Sequence, residues 1–333
     1  MFGAVQAVDG IRSFWQWWES ARHRVLKAIE VERGFSEALV QDISEHVAAI
    51  GDLDWELGAG ATSRHAFFLS AKGDPQGRLV TELWRSLGPA PDEEWSYFPA
   101  RQPRRDATLE FDGVKFDSSA LRVTFEVEMA RERVHASFFH PGFAALEERG
   151  RHVVLFLLLD GELGEDGVER WLGGIDLLEA DTDTKSFAEF RAAVDQLVSE
   201  ATGERFAIFE GKTDSDEPLF VTVNLALKRI DHLLNTTRVA IDVAILDRND
   251  HGLPTNADAE QLNALEDELG KALGGHAVYF GRETRPGHRI VHWYTPEDSP
   301  VRSIIDRWAA GHSDRRPDAQ FAHDPGWEFV KRF

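Results

Sequence analysis

Cysteine is absent from the 333 residues, which excludes disulfides, thiolate-bound zinc, iron–sulfur clusters and thiol nucleophiles. Cations are scarce: 37 Lys and Arg stand against 58 Asp and Glu, a formal net charge of −21. Nucleic acids and anionic membranes bind through clustered Lys and Arg, so neither suits this chain as main partner, whereas a basic protein does. No apolar run approaches the ~20 residues needed to cross a bilayer. VVLFLLL at 153–159 is of strand length, bordered by charge, and reads as a buried strand. The opening MFGAVQAVDGIRSFWQWWESARHR lacks the basic start, continuous apolar core and small-residue cleavage site of a secretion signal. A cytoplasmic location is therefore expected. Catalytic signatures are missing as well: there is no GxSxG, GxxxxGK[ST] or HExxH, and GAGATS at 58–63 joins two strands instead of opening a helix over a phosphate.

What is present is richest in the last third. From Thr237 the chain reads strand (RVAIDVAIL), a turn with Gly252 and Pro254, helix (256–273), strand (HAVYFGRET), the turn RPG, strand (HRIVHWYT), helix (300–311) and a closing strand (QFAHDPGWEFVKRF). Right-handed crossovers leave few topologies for the order βαββαβ, and the expectation is a ferredoxin-like domain: a four-stranded antiparallel sheet with two helices on one face. Pro286 and Gly287 suit the central positions of a type II turn, since Pro fixes φ near −65° and Gly accepts φ > 0.

GLPT at 252–255, LEDEL at 265–269, VYFGRETRPGHR at 278–289 and DPGWEFVKRF at 324–333 resemble the bacterial family known as domain of unknown function 695. ERFAIFEGKTDSDEPLFVTVNLAL, just upstream, is similar to that family's opening strand pair, so the resemblance runs from about Gly203 onward. It implies bacterial origin and the fold above, and carries no activity or cofactor with it.

The N-terminal part reads as a second α+β region. Phe14, Trp15, Trp17, Trp18, Val25, Leu26 and Ile29 recur near helical spacing and are expected to pack on a following helix, not to anchor in a membrane interface. That second helix spans 36–50, with Ser36 as N-cap and Leu39, Val40, Ile43, Val47 and Ile50 as its buried stripe. Strands at 52–58 and 65–73, a helix at 76–87 and a strand at 93–100 follow. The order αββαβ makes this block a diverged relative of the C-terminal one. Beyond the connector RQPRRDA at 101–107 come strands at 121–129 and 133–140, a helix near 143–149 and a helix at 186–199. The chain thus divides into two α/β sandwich domains of an α+β protein, 1–202 and 203–333.

Candidate site residues cluster on the C-terminal hairpin. Arg282, Arg285 and Arg289 form a basic patch around the tight turn, and guanidinium forks of this kind grip phosphate or carboxylate. The competing reading pairs them internally with Glu283, Glu297, Asp298 and the acidic helix containing Glu266, Asp267 and Glu268. His288 and His292 stand four residues apart on one strand, ~13 Å at ~3.3 Å per residue, too far to share a metal, so no metal and no cofactor is expected. Alternation places Val278, Phe280, Ile290, His292 and Tyr294 on one face, with Tyr279, Val291 and Trp293 on the other. Both faces read apolar, so the face without helices is expected to meet the N-terminal domain, a symmetry mate in a homodimer, or a partner. The leading function is a non-catalytic binding or regulatory protein that engages a basic protein through its acidic surface. The alternative is a hydrolase or small-anion-binding enzyme with an interdomain cleft lined by Arg282, Arg289, His292 and Tyr294.

Overall fold

The computed structural model describes residues 2–60 and 62–333, and of residues 2–6 the backbone alone. Ala61 of the GAGATS loop and the first side chains of the N-terminal segment thus lie outside the described residues. Two compact units emerge, Met1–Val127 with Val134–Val198, and Glu128–Arg133 with Ser199–Phe333.

In the first unit the chain runs α1 (Phe2–Lys27), α2 (Glu37–Ala48), β1 (Asp54–Ala59), β2 (His65–Ser70), α3 (Pro75–Ser86) and β3 (Trp95–Phe98). The three strands form one sheet in the order β1-β2-β3, antiparallel and then parallel. Ser36 caps α2, its hydroxyl accepting from Leu39 N at 3.2 Å, and Asp74 caps α3 through Gly77 N at 2.7 Å. Phe14, Trp15 and Trp18 of α1 pack with Phe67, Trp84, Trp95 and Tyr97 in one aromatic core. Two of its indole N–H groups find acceptors, Trp15 donating to Trp84 O at 2.9 Å and Trp18 to the Tyr97 hydroxyl at 3.0 Å, while those of Trp84 and Trp95 are buried without one. The tryptophans therefore build the core. Val40, read as buried, is exposed, because Leu39, Ile43 and Val47 already complete the inward stripe.

The same unit continues with β4 (Thr108–Phe111), β5 (Val114–Asp117), β6 (Arg122–Glu128), β7 (Arg133–Phe139), α4 (Glu148–Leu163), α5 (Glu165–Trp171), β8 (Leu172–Leu177), β9 (Lys185–Ser186) and α6 (Phe187–Glu200). A sheet in the order β8-β7-β6-β9 packs with α4 and α6 around Phe138, Leu155, Leu158, Leu159 and Phe190. The expected strand at 153–159 is instead the middle of α4. Seven apolar residues in a row carry no period of their own. Burial supplies it: Val154, Leu155, Leu158 and Leu159 are inside while Val153, Phe156 and Leu157 are exposed, which is helical spacing. The helix expected near 143–149 is a short 3-10 turn, Pro141–Ala145, and α4 begins after it.

The second unit holds β10 (Phe206–Lys212), β11 (Pro218–Asn224), β12 (Thr237–Ala244), α7 (Asn256–Leu273), β13 (Val278–Arg285), β14 (His288–Thr295), α8 (Val301–Gly311) and β15 (Asp318–His323). Its sheet is antiparallel throughout and has six strands rather than the expected four, in the order β10-β11-β13-β14-β12-β15. The extra pair is the upstream hairpin, which extends the sheet through β11 and β13. Helices α7 and α8 cover one face through Leu262, Leu269, Leu273, Val301, Ile305 and Trp308.

The closing stretch, read as one long strand, pairs only as far as His323. Pro325 has no N–H to give the ladder, and the Asp324 carboxylate accepts from Glu328 N at 2.8 Å and Phe329 N at 3.2 Å, turning the chain back. Trp327, Phe329, Val330 and Phe333 then pack on the sheet face opposite the helices, with Val221, Val223, Phe280 and Tyr294. This second apolar face is thus covered by the chain's own final residues.

Two sequence motifs dock on each other at the hairpin end. Gly287 takes φ +81 and Gly252 φ +74. Gly287 N donates to Gly252 O, and Ile245 N to Gly287 O, each at 2.9 Å. Thr255 follows as N-cap of α7, accepting from Asp258 N at 3.3 Å and donating to Asp247 at 2.6 Å.

Candidate functional site

The five hairpin residues do not converge. Register and contacts place Arg282 and Arg289 on the helix-covered face, whereas Arg285, His292 and Tyr294 lie on the face covered by the closing segment. A cleft lined jointly by Arg282, Arg289, His292 and Tyr294 is therefore incompatible with the pleat, which sends alternate residues to opposite sides.

On the helix side, one carboxylate gathers both arginines. Glu266 of α7 accepts from Arg282 at 3.0 Å and from Arg289 at 3.1 Å, while Asn263, one turn earlier, accepts from the same two groups at 3.0 and 2.9 Å. The i, i+3 spacing puts both acceptors on one helical face. Arg289 is only 5 % exposed, and this burial draws its guanidinium below the usual arginine value despite Glu266. Burial, with Glu266 alongside, likewise lifts the Tyr279 phenol. The cavity beside Arg289, Glu266 and Trp308 measures about 10 Å³, room for a single water at most. These arginines are tied up in an internal network, as the competing reading expects. Glu266→Ala strands Arg289 without its carboxylate and is expected to lower stability by roughly 2 kcal/mol, read from the urea midpoint.

On the other face, His292 Nε2 lies 3.2 Å from Glu283, and its ring packs 4.5 Å from that of Phe329. The hydrogen bond from His292 holds Glu283 below the ordinary carboxylate range, against its burial. Tyr294 stacks on Trp327 at 4.2 Å and donates to Asp324 at 2.7 Å. Burial and this carboxylate raise its phenol. His288 has its own carboxylate, Asp242, at 3.1 Å. Among the described residues no group of three or more His, Asp or Glu is disposed to hold a metal.

A second polar cluster, in the first unit, escaped the sequence reading. Arg101 Nε donates to Glu56 at 2.5 Å, and its backbone N–H donates to Glu165 at 3.0 Å. Glu165 also accepts from the Ser70 hydroxyl. Asp160 stands in this company, and burial, reinforced by Glu165 and Glu56 and opposed by Arg101, pushes it up to about 7. Arg101 lines a cavity of about 550 Å³ with Asp54, Trp55 and Glu56, and another of about 460 Å³ with Arg105, Glu162, Arg170 and Arg191. Of the arginines lining the second, Arg101 pairs with Glu56 and Arg191 with Glu162. Residues 101–107 read as a mere connector, and 153–159 as a strand. A helical reading of the latter would have carried Leu155 and Leu159 on to Glu162, beside Asp160.

The folded state binds the Asp160 proton up to about pH 7, while the unfolded chain releases it near ~3.9. The contribution of Asp160 to folding stability is accordingly expected to fall as pH rises from ~4 toward 7 and then to level off. Asp160→Asn should flatten that slope in thermal melts taken across this range. An unchanged slope would show that Asp160 is ionised in the fold.

The second unit is an antiparallel sheet lidded by two helices on one face and by its own closing segment on the other. Residues 188–333 match the model of a family of unknown function, DUF695. The match thus begins inside α6, ahead of the Gly203 start that the sequence motifs suggested. No curated protein and no solved structure matches the chain significantly. Among the described residues, no helix is long and apolar enough to cross a membrane.

Proposed function

We propose that the protein is a non-catalytic binding or regulatory protein that engages a basic protein partner through its acidic surface. One observation carries this reading: the net charge is −21, and two of the three hairpin arginines that looked available for a ligand are held in internal ion pairs. Arg282 and Arg289 serve Glu266, and Arg315 serves Asp258. The surplus charge left to face solvent is therefore negative, which steers association with a cationic partner. The cleft-based hydrolase reading loses its support because its four residues sit on two faces.

We also read the second unit as ferredoxin-like, supported by the order β13-β14-β12-β15 with α7 and α8 on one face. A two-domain division near residue 203 is supported by the break between compact units at Val198 and Ser199.

The test is capture on the immobilised full chain from a host extract at low salt, followed by a salt gradient and mass spectrometry. The expected result is a partner of high isoelectric point released by salt alone. A neutral or acidic partner retained through the gradient would overturn the reading, as would turnover in a broad hydrolase screen that one substitution abolishes without altering the melt.

A further inference from the structure

Strand β10 ends the six-stranded sheet, so among the described residues one of its long edges has no neighbouring strand. Long, apolar, unpaired edges recruit further strands, and proteins ordinarily blunt them with proline, bulges or inward charges. This one carries none of those devices between Phe206 and Phe209. Ile208 is 69 % exposed, Phe206 51 % and Phe209 40 %, so apolar side chains are open on both faces of the strand.

The free backbone groups can be assigned. Leu225 N donates to Arg205 O at 2.9 Å, in register with the Phe206–Asn224 pairing. Odd-numbered residues of β10 therefore turn their N–H and C=O toward β11. Phe206, Ile208, Glu210 and Lys212 turn theirs outward.

We propose that this edge pairs with the same edge of a second copy of the chain, antiparallel and two-fold, with Ile208 opposite Ile208 on the axis. Outward-facing residues then meet outward-facing residues throughout, as a ladder requires. Phe206 falls opposite the partner copy's Glu210, its aliphatic stem against the ring. Glu204, just ahead of the strand with its N–H and C=O bonded to the Thr202 hydroxyl, comes level with Lys212, twice by symmetry, so the arrangement adds complementary charge beside the ladder. Lys212 holds Asp216 at 2.7 Å in the single chain, yet both groups are largely exposed and that pair costs little to exchange. One face of the sheet is covered by α7 and α8 and the other carries the closing segment. The edge is thus the route by which two copies join, and the two sheets become continuous. This inference is independent of the acidic-surface reading.

Sedimentation of the full chain across the micromolar range should show a monomer–dimer equilibrium. Ile208→Lys sets two like charges on the axis and should weaken dimerisation about tenfold or more while leaving far-ultraviolet dichroism unchanged. Glu204→Lys and Lys212→Glu should each weaken it, and the double variant should restore it, which no folding defect can imitate. In the dimer the amides of Phe206, Ile208, Glu210 and Lys212 should exchange slowly, and in Ile208→Lys quickly. A monomer at every concentration would overturn the proposal. So would a dimer indifferent to all these variants, or open-ended aggregation in place of a closed pair.

Discussion

Replacing Asp258 with alanine is expected to cost about 3–5 kcal/mol, the largest loss from any single charge in the second unit. Asp258 and Arg315 meet at 2.7 Å with side chains only 2 % and 3 % exposed. Arg315 also donates to Gln261 at 2.6 Å and to Ala244 O at 3.3 Å, so it ties the start of α7 to the end of β12. Without Asp258 the guanidinium stays buried among neutral acceptors that cannot offset its lost hydration. Urea unfolding of the variant reads the loss directly. Converting both partners together to Leu and Met should recover most of it, because two apolar side chains leave no orphaned charge. A loss below ~1 kcal/mol from the single change would mean that the pair is solvated in the folded state.

Gly252→Val should cost roughly 2–4 kcal/mol, combining left-handed strain with overpacking. The backbone there sits at φ +74, and a Cβ would lie 2.9 Å from the Pro286 side chain. Neither can give way easily, since Pro286 is fixed by its ring and Gly287 N is bonded to Gly252 O. Gly287→Val, at φ +81 and 3.0 Å from the flexible Arg248 guanidinium, should cost less than Gly252→Val. Equal melting temperatures for Gly252→Val and the parent would show that the two turns do not lock.

These two motifs illustrate what sequence could reveal. Turn chemistry is local, so Gly252, Pro254, Pro286 and Gly287 announced the hairpin and the turn ahead of α7 correctly. Alternation was equally local and sorted Tyr279, Val291 and Trp293 from His292 and Tyr294. What failed depended on distant partners. The apolar run at 153–159 has no internal period, and only the strands and helices around it decide which side chains turn inward. The length of the final strand hinged on Asp324, whose carboxylate caps the turn that returns Trp327 to Tyr294. Reading the arginines as one patch ignored the pleat, which gives Arg282 and Arg289 to Glu266 and leaves Arg285 on the far side. Asp160 could not be singled out at all, because its surroundings of Glu56, Arg101 and Glu165 are assembled from three separate stretches.

The central claim is association through surplus negative charge, and calorimetric titration of the captured partner onto the full chain at rising ionic strength tests it most directly. The Debye length shrinks from ~10 Å at 0.1 M to ~3 Å at 1 M, so affinity should fall steadily over that range. Arg282→Ala should lower the melting temperature and leave that salt dependence intact. An affinity indifferent to salt, or one abolished by Arg282→Ala in a protein that still melts like the parent, would contradict the account.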